Sequence, residues 1–295
     1  MKRFLIGWIF SATVICAHGE SVAARYETYG QLILTNLNSA PFPHPDREKG
    51  RAYKDEFFTA EKNYRDNTVA IFIPKELTNA ATADFVVHFH GWRNSVTNVL
   101  RRYELIEQLA ASGRKAILIV PQGPLNAADS FDGKLEDAGG FDRFFEEVLE
   151  AIRQDAKFKN IKPGKIILSG HSGGYQVISS IVAQTNQFPV REVWLFDALY
   201  GRTEKFMKWF NANSDARLLN IYTENGGTKT ETEKLMKDLQ EKKIPFASGD
   251  EKSISEELLR TNGLVFIFTD LPHDEVVHKR STFKRFLKTN TANGQ

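Results

Sequence analysis

A chain of 295 residues, 41% hydrophobic and 12% aromatic, can bury a full core, and its length fits one large α/β domain better than two small ones. Its 39 lysines and arginines nearly cancel its 37 aspartates and glutamates, so no long-range field gathers nucleic acid or coats an anionic membrane. The one cysteine, Cys16, falls in an N-terminal leader, which excludes disulfides, thiolate nucleophiles and cysteine zinc ligands from the mature chain.

That leader comes first in chain order. Lys2 and Arg3, the apolar run 4–16 and small residues ending in Ser21-Val22-Ala23 read as a cleaved secretory signal over residues 1–23, with a single domain over 24–295. The run is shorter than the roughly 20 apolar residues that span a bilayer. Ile15 before Cys16 is not the small residue that lipidation requires. The expectation is export to the periplasm or outside, cleavage after Ala23 or Gly19, and no stable membrane insertion afterwards.

Beyond the leader, short β-branched runs alternate with amphipathic stretches, the pattern of a mostly parallel sheet with helices on both faces. Runs 31–35 and 68–73 have no helical stretch between them and read as an antiparallel edge, joined by a proline-bearing segment around residues 41–45. Runs 84–90, 115–120, 165–169, 191–196, 217–223 and 263–269 read as central strands, giving about eight in all. Spacing of three and four residues predicts helices over 96–111, 141–158, 175–185, 204–211 and 231–242, and a final helix after His273 that takes in His278. Segments 126–140 and 245–260 read as insertions on this scaffold.

The strongest local signal is Gly170-His171-Ser172-Gly173-Gly174, between a predicted strand and a predicted helix. A sharp strand-to-helix turn strains the serine, tolerates only small neighbours and presents the hydroxyl beyond the sheet edge. The following helix N-terminus favours negative charge developing nearby.

On these residues, and on Val86-Val87-His88-Phe89-His90-Gly91-Trp92, the chain resembles the α/β-hydrolase superfamily, in particular its secreted serine esterases and lipases. The likeness runs from about Thr68 to the last helix. It implies the α/β-hydrolase fold, with Ser172 as nucleophile and an oxyanion hole made by the N–H groups of Trp92 and Gly173. His273, in Thr269-Asp270-Leu271-Pro272-His273-Asp274, follows the last strand and matches the family's chain order for the general base, while His44 and His18 lie upstream of the scaffold. Asp197, ending run 191–196, is preferred as the acid, as in some secreted lipases. Glu224, after the next strand, is the commoner family placement and stays as the alternative, with Asp270 behind it.

His88 and His90 alternate on one strand face, so a metal site is conceivable there. With no cysteine or clustered carboxylate nearby, a histidine holding the oxyanion loop is the better reading, and no metal or other cofactor is expected. Trp92, Phe131, Tyr175 and Tyr200 stand near the motifs and would line an acyl or sugar pocket, although core packing accounts for each as well. The expected function is exported hydrolysis, through an acyl-enzyme, of a small-molecule or polymer-derived ester. Amidase or peptidase action, acyl transfer on the same residues, and an inactive exported binding protein of this fold are the alternatives.

Overall fold

The computed structural model describes residues 22–78 and 80–289. The expected leader as far as residue 21, Cys16 included, lies outside them.

The strands are β1 (Gly30–Asn36), β2 (Arg51–Tyr53), β3 (Glu56–Phe58), β4 (Thr68–Pro74), β5 (Thr82–Phe89), β6 (Ala116–Pro121), β7 (Lys162–His171), β8 (Val190–Phe196), β9 (Arg217–Thr223), β10 (Ala247–Asp250) and β11 (Leu264–Thr269). Nine of them form one sheet in the order β1-β4-β6-β5-β7-β8-β9-β11-β10, and β2 and β3 make a separate hairpin. β4 is antiparallel to both its neighbours, and all other pairs in the sheet are parallel. Every residue of β6 and β9 is buried, as expected of central strands covered on both faces.

The helices are α1 (Ala60–Asn63), α2 (Val96–Arg102), α3 (Leu105–Ser112), α4 (Gly140–Arg153), α5 (Tyr175–Val182), α6 (Thr203–Ala212), α7 (Lys229–Glu241), α8 (Glu256–Thr261) and α9 (Thr282–Leu287). Phe144, Phe145, Ile178, Phe206 and Leu235 bring α4 to α7 onto one face of the sheet. Val99, Ile106, Leu109, Phe283 and Phe286 bring α2, α3 and α9 onto the other. Each such side chain contributes roughly 1.5–3 kcal/mol on burial, so the sheet is a rigid platform and chemistry falls to the loops leaving its strands. No helix among the described residues is long and apolar enough to cross a membrane.

All eight expected strands form, and the sheet gains β10 from segment 245–260, where an insertion was expected. The helices differ more. The helix expected over 96–111 is two, because Glu104 takes the left-handed conformation at φ 50°. That break costs about 1 kcal/mol or more for a non-glycine residue, and it lets Tyr103 and Leu105 on either side bury completely. The helix expected over 141–158 stops at Arg153, and the Asp155 side chain caps a separate short turn at Ala156–Phe158. After His273 comes a single turn, His273–Glu275, and α9 starts only at Thr282, which leaves His278 between the two rather than in a helix.

Candidate active site

The site lies at the carboxyl ends of the parallel strands, where ligands bind in open α/β sheets. β7 runs into Ser172, β5 into Gly91-Trp92, β8 into Asp197 and β11 toward His273.

Ser172 sits at φ 53°, in the left-handed region that a side chain disfavours. The turn closes because its neighbours are bare. A Cβ on Gly170 would come within 2.7 Å of Ile178, and one on Gly174 within 2.7 Å of the Phe89 carbonyl oxygen. Gly91 lies directly over the serine: a Cβ there would come 2.7 Å from Ser172 Cβ.

Asp197 is fully buried and also left-handed, at φ 45°. Its Oδ2 accepts from His273 Nδ1 at 2.6 Å and from the Thr223 hydroxyl at 2.8 Å. Its Oδ1 accepts from the Thr223 N–H at 3.2 Å and from the Thr228 hydroxyl. Burial alone would raise this carboxyl group, but the hydrogen bonds from His273, Thr228 and Thr223 outweigh it and hold Asp197 below its ordinary value. Gly226 is bare for the same reason, since a Cβ there would collide with the Asp197 carboxylate. Glu224 turns away to Lys229 at 2.8 Å. Asp270 pairs with Lys252 at 2.5 Å and Arg280 at 2.6 Å. His273 thus meets Asp197 and neither alternative carboxylate.

Among the described residues Ser172 and His273 share no hydrogen bond; the serine side chain lies beside the Tyr200 hydroxyl. Tyr200 donates to the Gly226 carbonyl at 2.6 Å, and burial, then the nearby Asp197 charge, push its phenol up to about 12. It is therefore a neutral group at any working pH.

His90 orders the loop above the serine. Its Nε2 accepts from the Gly123 N–H at 3.1 Å, with the Gln122 amide at 2.9 Å, so the ring proton is on Nδ1, which donates to the Gly91 carbonyl at 2.8 Å. The C=O and N–H of a trans peptide point opposite ways. Pinning the Gly91 carbonyl therefore aims the Trp92 N–H the other way, and no described residue accepts it. The Trp92 indole, 39% exposed, lies against Gly173 and donates to Ser130 Oγ at 2.7 Å. The Tyr53 ring meets it edge-on at 4.9 Å.

Among the described residues neither His88 nor His90 joins a cluster of three metal-ligand side chains. His88 is fully buried, bonds Ser169 Oγ at 2.9 Å and packs against Tyr103 and Phe283. His171, His273 and Asp274 do bring ligand atoms within 4.8 Å of one another. Both His171 nitrogens are already engaged, however, by Tyr103 and by the His273 carbonyl, each at 3.0 Å, so the set offers too few free ligands for a metal. Phe131 packs against Phe42 and His44 beneath Arg47, away from the serine, whereas Tyr175 and Tyr200 pack together 5.7 Å apart beside it.

Segment 126–140 is fastened on both sides. Asp129 receives Arg47 and Arg51, each at 2.7 Å, and the Tyr64 hydroxyl at 3.2 Å. Glu136 receives Gln176 at 2.9 Å and Ser180 at 3.0 Å. These bonds hold Ser130 against Trp92. Thr223, Thr228, Tyr103, Gln122 and Ser130 carry no local sequence signal, because each acts across a long stretch of chain.

No protein-family model and no curated protein matches the sequence. Solved structures do match. A ferulic acid esterase has a TM-score of 0.54 and 12% identity, over 88% of this chain and 98% of its own. The fluorophosphonate-binding serine hydrolase FphF of Staphylococcus aureus, in a substrate-bound structure, has a TM-score of 0.51 and 12% identity, over 87% and 99%. The enterobactin and salmochelin hydrolase IroE has a TM-score of 0.50 and 14% identity, over 92% and 99%. At such identity the likeness is one of fold. The chain has the α/β-hydrolase fold.

Proposed function

We propose that this protein is an exported serine hydrolase that cleaves esters through an acyl-enzyme. The observation that carries the reading is the 2.6 Å contact of His273 Nδ1 with buried Asp197, beside an elbow that holds Ser172 at φ 53°. Asp197 keeps the His273 proton on Nδ1, leaving Nε2 to accept the Ser172 proton once a bound ester draws the hydroxyl away from Tyr200. The serine oxygen attacks the carbonyl, and the N–H groups of Trp92 and Gly173 take the oxyanion, such donors being worth about 3–4 kcal/mol each. His273 then protonates the leaving alcohol, and water, deprotonated by the same nitrogen, frees the acid.

The esterase and hydrolase names of the structural neighbours support ester cleavage. Trp92 with Tyr53, and Tyr175 with Tyr200, offer apolar walls for the two halves of the substrate. Export rests on the leader. Val22 and Ala23, which only cleavage after Gly19 would retain, pack against the core, and this favours Gly19 over Ala23.

The test is intact-mass spectrometry of the purified protein after a fluorophosphonate, with peptide mapping and a series of 4-nitrophenyl esters. One phosphonyl adduct, on the peptide carrying Ser172, together with ester turnover, is the expected result. A folded protein that takes no adduct and turns over no ester would leave the inactive binding protein as the reading.

A further inference from the structure

We propose that His171 is a positioning residue for the general base: a neutral imidazole strung between the Tyr103 hydroxyl and the His273 main-chain carbonyl, it fixes the backbone from which the His273 ring reaches Ser172. The inference rests on the hydrolase reading above and concerns a residue that the elbow itself does not require. The turn needs small neighbours around the serine, yet residue 171 is a large polar side chain that points inward and is almost fully buried.

A buried imidazole must have both nitrogens satisfied, and here one arrangement does so. The His273 carbonyl at 3.0 Å can only accept, so the proton is on His171 Nε2. Nδ1 is then an acceptor and takes the Tyr103 hydroxyl proton at 3.0 Å. The two rings, His171 and His273, lie 4.5 Å apart. Burial, then the neighbouring His273, lower His171 to about 4, so the arrangement persists at neutral pH and places no second cation beside the imidazolium.

Tyr103 is well held for this task. It sits at the break between α2 and α3, stacks on His278 at 5.9 Å and meets His88 edge-on, with the Asn94 side chain beside its hydroxyl. The His273 loop is thus gripped by Tyr103 through His278 and by His171 through the carbonyl. Asp197 holds the ring at Nδ1, His171 holds the main chain, and Nε2 is the nitrogen left free. Because His171 and Ser172 are adjacent in sequence, nucleophile and base are referenced to the same rigid turn. That coupling matters because a displacement of about 1 Å costs roughly 100-fold in rate.

The experiment compares His171→Leu, which keeps volume and removes both nitrogens, with His171→Gln, whose amide can still reach the carbonyl, and with Tyr103→Phe. For His171→Leu, kcat is expected to fall about 30-fold with KM changed less than about twofold, and fluorophosphonate capture to slow in step. His171→Gln is expected within about threefold of wild type and Tyr103→Phe in between, with thermal midpoints recorded for all three. Wild-type kcat in His171→Leu would overturn the proposal. So would a loss that Gln fails to restore and that follows the drop in thermal midpoint, since that is a packing effect. Equal adduct formation by wild type and His171→Leu removes this inference alone; no adduct on wild type removes the hydrolase reading, and this inference with it.

Discussion

Asp197→Asn is expected to lower kcat by about 10⁴-fold with little change in KM, while Glu224→Gln leaves both within about twofold of wild type. The size follows from the hydrogens that converge on the carboxylate. The Thr223 N–H at Oδ1 is fixed main chain and cannot turn. An asparagine must therefore put its oxygen there and its NH₂ at the Oδ2 position, against His273 Nδ1 and the Thr223 hydroxyl. A hydroxyl can rotate out of the way. The imidazole can relieve the donor–donor clash only by moving its proton to Nε2, and in that tautomer it cannot take the Ser172 proton. Steady-state ester hydrolysis by the two purified variants decides the matter. A near-wild-type Asp197→Asn beside a crippled Glu224→Gln would move the acid to the neighbouring strand.

The same contacts explain why the sequence left that choice open. Asp197 and Glu224 follow adjacent parallel strands, with Phe196 level with Ile221, so strand reading alone brings both to the same edge. What separates them is tertiary. Lys229, in the first turn of α7, draws Glu224 outward, while Thr223 and Thr228 face Asp197 from across the strand. The elbow, by contrast, was legible because its constraint is local: glycines are needed within two residues of Ser172, whatever packs above.

Periodicity was informative where an element is long and apolar and silent elsewhere. β10 is Ala-Ser-Gly-Asp, paired on one side only, and four such residues carry no alternation. Glu104 is an ordinary helix former, so nothing nearby predicts that the helix breaks there; the break accompanies the tertiary burial of Tyr103 and Leu105 on either side of it. His90 is the intermediate case. Its place before Gly91 suggested an oxyanion-loop role, but the bond to the Gly91 carbonyl depends on the Gly123 N–H, which comes from the loop after β6.

Acidification from pH 7 to pH 5 is expected to destabilise the fold by about 2 kcal/mol for each of His88 and His171, because a pKa difference of one unit is worth about 1.4 kcal/mol. Burial, with nearby histidines second, depresses His88 to about 3, and burial, then His273, depresses His171 to about 4. In the fold these rings therefore stay neutral down to those values, whereas in the unfolded chain they take up a proton near 6.5. Between the folded and unfolded values the unfolded state binds more protons. Stability is then complete above about pH 6.5 and is lost as pH falls toward 4. His90 and His278, also lowered, first by burial, act in the same sense. Asp132 and Glu107, both raised chiefly by burial, act in the opposite sense, because the folded state holds their protons more tightly. Asp197, a lowered carboxyl, contributes stability above its unfolded value and loses it only as pH falls through its still lower folded value, outside this window. The opposing terms make a variant comparison sharper than the total. His88→Leu, measured by urea unfolding at both pH values and referred to its own stability at pH 7, should lose about 2 kcal/mol less than wild type on going to pH 5. His88 lies beneath the site and touches no substrate in the proposed mechanism, so the difference reads burial of a neutral imidazole and nothing of catalysis. Parallel pH profiles for the two proteins would mean that His88 titrates in the fold as it does in the open chain, and that its buried, half-bonded ring carries no proton-linked stability.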